Sequence, residues 1–160
     1  MTANPAPAAF PAVGTVAPDF TLRSTAREAV TLSSFRGKQN VLLAFFPLAF
    51  TGTCTAELCA FNDDFSQFAS RHTTVLPISV DSTDTLREYR AKHQMSFDLL
   101  SDFKRVVSQQ YGVLNAERFY ANRAYVVIDR DGVVRWSWLE AKNGERRENA
   151  ELLVELEKLQ

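Results

Sequence analysis

Two cysteines, Cys54 and Cys59, are the residues of this chain best suited to covalent chemistry. Two are too few for a disulfide framework, so either reactivity or simple packing must account for them. They lie in the segment Phe45-Phe-Pro47-Leu-Ala-Phe-Thr51-Gly-Thr-Cys54-Thr-Ala-Glu57-Leu-Cys59. A thiolate attacks electrophilic sulfur or peroxide oxygen, and the free N–H groups and positive dipole end of a helix start stabilise that anion. Cys54 is expected in such a first turn. Thr51, just before it, can offer a hydroxyl to the sulfur or to a bound oxygen. Glu57 admits two readings: it holds the loop or Arg123 in place, or it simply suits the dipole of the first helical turn.

The elements on either side must deliver this geometry. Asn40 to Phe46 is a nearly continuous apolar run of strand length, as expected of a central strand covered on both faces, and Pro47 ends it. From Thr53 to Arg71 the apolar positions Cys54, Leu58, Phe61, Phe65 and Phe68 define one face of a helix. Thr73 to Val80 reads as a strand in which Pro77 favours an edge or a bulge. Asp81-Ser-Thr-Asp supplies N-cap chemistry for a helix over Thr83 to Gln94. Phe97–Leu100 is expected as a short strand and Asp102–Gln110 as a helix. Ala124–Asp129 and Val133–Leu139 read as strands joined through Asp131-Gly132, and Arg147–Leu159 as a closing helix. Pro18–Leu22 and Glu28–Leu32 are expected to pair as peripheral strands. Alternating strands and helices that end in a hairpin plus helix indicate an α/β sandwich whose sheet mixes parallel and antiparallel neighbours.

Composition narrows the function classes. The 160 residues suit one domain, read here as residues 14–160 behind a Pro/Ala arm over residues 1–13. Eighteen basic and nineteen acidic residues leave a net charge of -1, which gives no reason to expect a nucleic-acid partner. No apolar run is long enough to span a bilayer, and the first residues lack the basic and apolar regions of a secretory signal. A cytoplasmic location is therefore expected. His72 and His93 stand at no spacing that marks a metal site, so both are expected at the surface.

Pro47-x-x-x-Thr51-x-x-Cys54 resembles the signature of the peroxiredoxin family. A given cysteine would meet that spacing of Pro and Thr by chance about once in 400, if each occupies about 5% of positions. The resemblance extends to Ala17-Pro18-Asp19-Phe20, to Leu32-Ser-Ser-Phe-Arg-Gly37-Lys38 and to Arg123-Ala-Tyr-Val-Val-Ile-Asp129. It implies a thioredoxin-like three-layer sandwich and a thiol-dependent peroxidase that needs no metal or other cofactor. Cys54 would be the peroxidatic residue, with Thr51, Arg123 and Pro47 around it. The partners implied are a hydroperoxide and a thioredoxin-like or other thiol reductant, with the enzyme a monomer or homodimer. The pattern Cys54-Thr-x-Glu57-x-Cys59-x-Phe61 resembles the bacterioferritin-comigratory (PrxQ-like) branch, in which the second cysteine resolves the sulfenic acid as an intramolecular disulfide. Phe50-Thr-Gly-Thr-Cys54-x-x-Glu57-Leu58 equally resembles the AhpE-like one-cysteine branch, where an external thiol does so.

Other functions fit the residues less well. A thioredoxin-type oxidoreductase needs C-x-x-C, which is absent. Copper delivery needs two closer thiolates and a well-placed histidine. A peroxide sensor or holdase on the same fold stays open.

Overall fold

The apolar run after Gln39 forms strand β3 (Asn40–Phe45), whose six residues are all buried. The computed structural model describes residues 8–160. Side chains alternate across β3, so Leu42 and Ala44 join one core cluster while Val41, Leu43 and Phe45 join another. The first cluster lies under the helices α1 (Gly52–Asp63), α2 (Phe65–Ser70), α3 (Thr83–Lys92) and α5 (Asn149–Glu157). The second holds Val107 of α4 (Val106–Gln110), together with Phe20 and Leu32. Helices on both faces of a two-sided sheet are what a fully apolar strand requires.

The remaining strands are β1 (Thr21–Ser24), β2 (Ala29–Thr31), β4 (Thr73–Ser79), β5 (Leu100–Ser101), β6 (Ala124–Ile128) and β7 (Val134–Leu139). They form one seven-stranded sheet in the order β2-β1-β5-β4-β3-β6-β7. β3 is parallel to β4 and antiparallel to β6, so the sheet is mixed, as its sequence pattern predicts. The peripheral pair forms as Thr21–Ser24 against Ala29–Thr31.

Several elements differ from expectation for identifiable reasons. The helix expected over residues 53–71 is broken at Asp64, whose carboxylate accepts hydrogen bonds from Asn149 Nδ2 at 2.8 Å and Gln67 Nε2 at 3.0 Å. After the break Phe65 is exposed, whereas Phe68 stays buried against Phe61. Pro77 lies in an internal strand, not at an edge. Its neighbours Ile78 and Ser79 bond to β3 and to the β5 side respectively, so residue 77 also faces the β5 side. There β5 pairs only with Ile78 and Ser79, and the missing N–H deprives no partner. The short strand at residues 97–100 shrinks to Leu100–Ser101 because Thr25 bonds both backbone groups of Leu99. The helix expected from Asp102 starts only at Val106, and the Asp102 carboxylate accepts the N–H groups of Val107 and Ser108.

Of the Pro/Ala arm expected over residues 1–13, residues 1–7 lie outside the described residues. Residues 8–13 pack on the domain: Phe10 is half-buried, and Ser137 donates to the carbonyl of Pro11. Gly112 has φ +67 and passes so close to Ala8 that a β-carbon would stand 2.3 Å from its carbonyl oxygen. Trp136 and Trp138 stack on one face of β7 with centroids 6.3 Å apart, and the Arg147 guanidinium lies 4.7 Å from the Trp138 ring. Among the described residues no helix is long and apolar enough to cross a membrane.

Candidate active site

Strand register brings four segments to one end of the sheet. Phe45, the last residue of β3, pairs with Ile78 of β4 and with Ala124, the first residue of β6. Ala124 in turn pairs with Leu139, the last residue of β7. The loop after β3, the Ser79–Asp81 corner, Arg123 and the 140–148 segment therefore meet.

The loop carries Pro47, which is buried, and is pinned by Asp81, whose carboxylate accepts the Ala49 N–H at 2.8 Å and the Ser79 hydroxyl at 2.7 Å. Asp81 is thus a loop anchor, and the cap of α3 is Ser82, which accepts the Thr85 N–H. Phe50, at φ +65, turns the chain into α1 and sets its half-exposed ring 4.8 Å from Tyr89.

Thr51 is the N-cap residue of α1, and the first helical bond runs from the Thr55 N–H to its carbonyl. The N–H groups of Gly52, Thr53 and Cys54 consequently have no acceptor within the helix, which makes this turn a site for negative charge. The Thr51 side chain does not cap the helix. Its hydroxyl proton goes to the Leu48 carbonyl at 2.8 Å, so toward a ligand Thr51 offers lone pairs. Cys54 is buried in that first turn.

Arg123 is only 1% exposed, and its guanidinium is directed by three groups. Nη2 donates to Cys54 Sγ at 3.2 Å and to the Asn143 carbonyl at 3.0 Å, and Nη1 donates to Glu57 Oε1 at 2.9 Å. The Arg123 N–H donates to Asn143 Oδ1 at 2.8 Å, which fixes the root of the side chain. Arg123 Nε is buried without an acceptor among the described residues.

Glu57 is also fully buried, and Tyr125 donates its hydroxyl proton to Glu57 Oε2. Burial pushes the Glu57 carboxyl above its ordinary range, against the pull of Arg123, Tyr125 and Arg146. For Arg123, burial works against the charge, but Glu57 and Cys54 outweigh it and hold the guanidinium protonated. The guanidinium charge is the harder of the two to remove, so Glu57 serves as its counter-ion. Burial and the neighbouring Glu57 push the Tyr125 hydroxyl far above its ordinary value, so it stays a donor.

Cys59 is half-buried one and a half turns along the same intact helix, and burial together with the Asp63 carboxylate pushes its thiol up. It does not touch Cys54. The structure thus gathers Cys54, Arg123 and Glu57 around one point, with Thr51 and Pro47 in the adjoining loop and Cys59 apart. Tyr125, Asn143, Asp81 and Arg146 escape the sequence reading. Tyr125 reads as one more apolar strand residue, Asp81 as part of a capping segment, and the other two lie in a loop with no pattern. Arg118 is exposed; His72 is exposed as expected, while His93 is half-buried edge-on to Tyr89. Among the described residues no group of three or more His, Cys, Asp or Glu side chains could hold a metal ion.

Residues 13–137 match the AhpC/TSA family. The chain is 45% identical over 127 residues to alkyl hydroperoxide reductase E of Mycobacterium tuberculosis, covering 78% of this chain and 83% of that one. It is 37% identical over 125 residues to a putative chloroplastic peroxiredoxin Q of Oryza sativa, covering 77% of this chain and 57% of that one. Among solved structures, peroxidoxin BcpB of Mycobacterium tuberculosis superposes with a TM-score of 0.84 at 26% identity, covering 92% of this chain and 97% of that one. Reduced 2-Cys peroxiredoxin of Plasmodium vivax gives a TM-score of 0.84 at 31% identity, over 91% of this chain and 80% of that one.

Removing one partner of a buried ion pair strands the other charge, at about 3 kcal/mol or more. Glu57→Gln should lower the unfolding free energy by about that amount in urea titration, and a change below about 1 kcal/mol would show that Glu57 does not neutralise Arg123.

Proposed function

The chain belongs to the AhpC/TSA family, and we propose that it is a thiol-dependent peroxidase whose attacking group is the Cys54 thiolate. The observation that carries this reading is the Arg123 guanidinium 3.2 Å from a sulfur buried in the first turn of a helix. The sulfur attacks one oxygen of a hydroperoxide ROOH, the O–O bond breaks, and the electron pair leaves on RO⁻. Sulfur is oxidised to the sulfenic acid and the peroxide is reduced to ROH once RO⁻ takes a proton. Charge develops on the leaving oxygen, where Arg123, with its unspent Nε donor, and the free N–H groups of the first turn can stabilise it. A lone pair of the Thr51 hydroxyl accepts a hydrogen bond from the hydroperoxide O–H and so orients the substrate. Pro47 and the buried phenyl rings behind the loop keep bulk water from the sulfur. The step calls for no metal or other cofactor, and both hydrogen peroxide and organic hydroperoxides fit it.

In this reading Cys59 resolves the sulfenic acid. Five residues along a helix separate two Cα atoms by about 8–9 Å, beyond the 7 Å or so that a disulfide tolerates. The first turns of α1 must therefore unwind locally, which costs less than global unfolding. Unwinding also exposes Cys59 and removes the burial that raises its pKa. A thioredoxin-like or other dithiol then reduces the disulfide. The intact helix and the protonated Cys59 favour the second reading, a one-cysteine enzyme resolved by an external thiol. The enzyme acts as a monomer or homodimer in the cytoplasm.

Three measurements test this assignment. Cys54→Ser should abolish peroxide consumption with dithiothreitol and retain the wild-type circular dichroism; appreciable turnover removes Cys54 from the attacking role. Arg123→Ala should slow stopped-flow oxidation of Cys54 by about 10-fold or more, the scale of a lost electrostatic contact. One equivalent of peroxide should give, by mass spectrometry, a Cys54–Cys59 disulfide, whereas a persisting sulfenic acid beside a free Cys59 selects the one-cysteine reading.

A further inference from the structure

Glu57 sits inside the six-residue loop, Cys54 to Cys59, that the resolving disulfide would close. Its carboxylate is the only buried acidic group on α1, and both its oxygens are tied to a different element, β6 and the residue before it. Oε1 is held by Arg123, whose link to the sulfur belongs to the peroxide step. Oε2 is held by the hydroxyl of Tyr125, which bonds to neither cysteine and so can act on them only through Glu57. The Tyr125 oxygen also accepts the Arg147 N–H at 3.0 Å, just ahead of α5. Arg147 in turn is clamped by the buried Glu140 at 2.6 Å. The hydroxyl thus joins the middle of the redox helix to two fixed parts of the scaffold.

We propose that the Tyr125 hydroxyl is a positioning latch: through Glu57 it holds α1 wound, favouring attack on peroxide and delaying the Cys54–Cys59 disulfide. The inference rests on Cys59 as the resolving residue. The delayed step is balanced without any outside reagent. The Cys59 thiol loses its proton, its sulfur bonds to the Cys54 sulfur, and the S–O bond of the sulfenic acid breaks to release water. Until it occurs, a second peroxide can take the sulfenic acid on to the sulfinic acid. The strength of the latch therefore sets the partition between disulfide and over-oxidised enzyme.

A scaffold residue and a latch respond differently to losing one oxygen. Tyr125→Phe keeps the ring in the core and deletes the hydrogen bond to a charged group, worth roughly 10-fold in the opening of α1. In rapid-quench experiments read by mass spectrometry, the variant should oxidise Cys54 about 2- to 5-fold more slowly but form the disulfide about 10-fold faster. Its yield of sulfinic acid at high peroxide should fall accordingly. Slowing of both steps, or a disulfide rate equal to wild type, overturns the latch. Hydrogen exchange of the reduced protein separates this from failure of the Cys59 reading. If wild type forms no Cys54–Cys59 disulfide, the resolving role fails. The latch on α1 still stands if Tyr125→Phe speeds exchange of residues 55–61 by about 10-fold relative to β3, and it falls if exchange there is unchanged. Should Tyr125→Phe fail to fold, Arg147→Pro, which removes the N–H donated to the same oxygen together with the guanidinium's bond to Glu140, is measured for the same two rates. Opposite changes support the latch and parallel losses overturn it.

Discussion

A guanidinium without exposure needs a counter-charge within reach, and in this protein that need organises the site. Arg123 lies at the mouth of β6 because the antiparallel register sets Ala124 beside Phe45. Its charge is matched by Glu57 from α1 and directed toward Cys54 from the same helix. One helix therefore presents both the counter-ion and the Cys54 sulfur, three residues apart and on one face. Had β3 and β6 been parallel, the residue before β6 would lie at the far end of the sheet and the sulfur would face no cation. The mixed sheet is thus a condition for the chemistry.

The surroundings of the pair show how its desolvation is offset. Asn143 contributes both its side-chain oxygen and its carbonyl to Arg123, and Tyr125 completes Glu57. A buried ion pair is favourable only when its remaining hydrogen-bonding groups are met, and among the described residues Arg123 Nε is the one group of this pair left without a partner. Most of these partners come from β6 and the segment after β7. The C-terminal third of the chain therefore contributes as much to the surroundings of the Cys54 sulfur as the segment that bears the cysteines.

The parts of this arrangement that follow from local pattern could be read in the sequence. Val41 to Phe46 suits a buried strand, Pro47 ends it, and the N–H-rich first turn follows from the switch in periodicity. Arg123 could be singled out from Arg118 because it directly precedes an apolar strand. What could not be read depends on register or on contacts across the sheet. The use of the Tyr125 hydroxyl appears only once α1 lies over β6. The break at Asp64 depends on Asn149, 85 residues away. Pro77 is tolerated inside the sheet only because β5 is two residues long. Residues 8–13 look featureless as a string, yet Gly112 leaves room for them.

The stacked indoles of β7 give this architecture an optical side. Trp138 lies beneath the Arg147 guanidinium, and the backbone of Arg147 is bonded to the Tyr125 hydroxyl. Trp136 packs on the core cluster that contains Cys54 and α1. Both tryptophans of the chain are therefore linked to the surroundings of α1, one through a cation over its ring and one through packing. In the proposed cycle, in which α1 unwinds, their emission would be an internal gauge of that unwinding, present without any label.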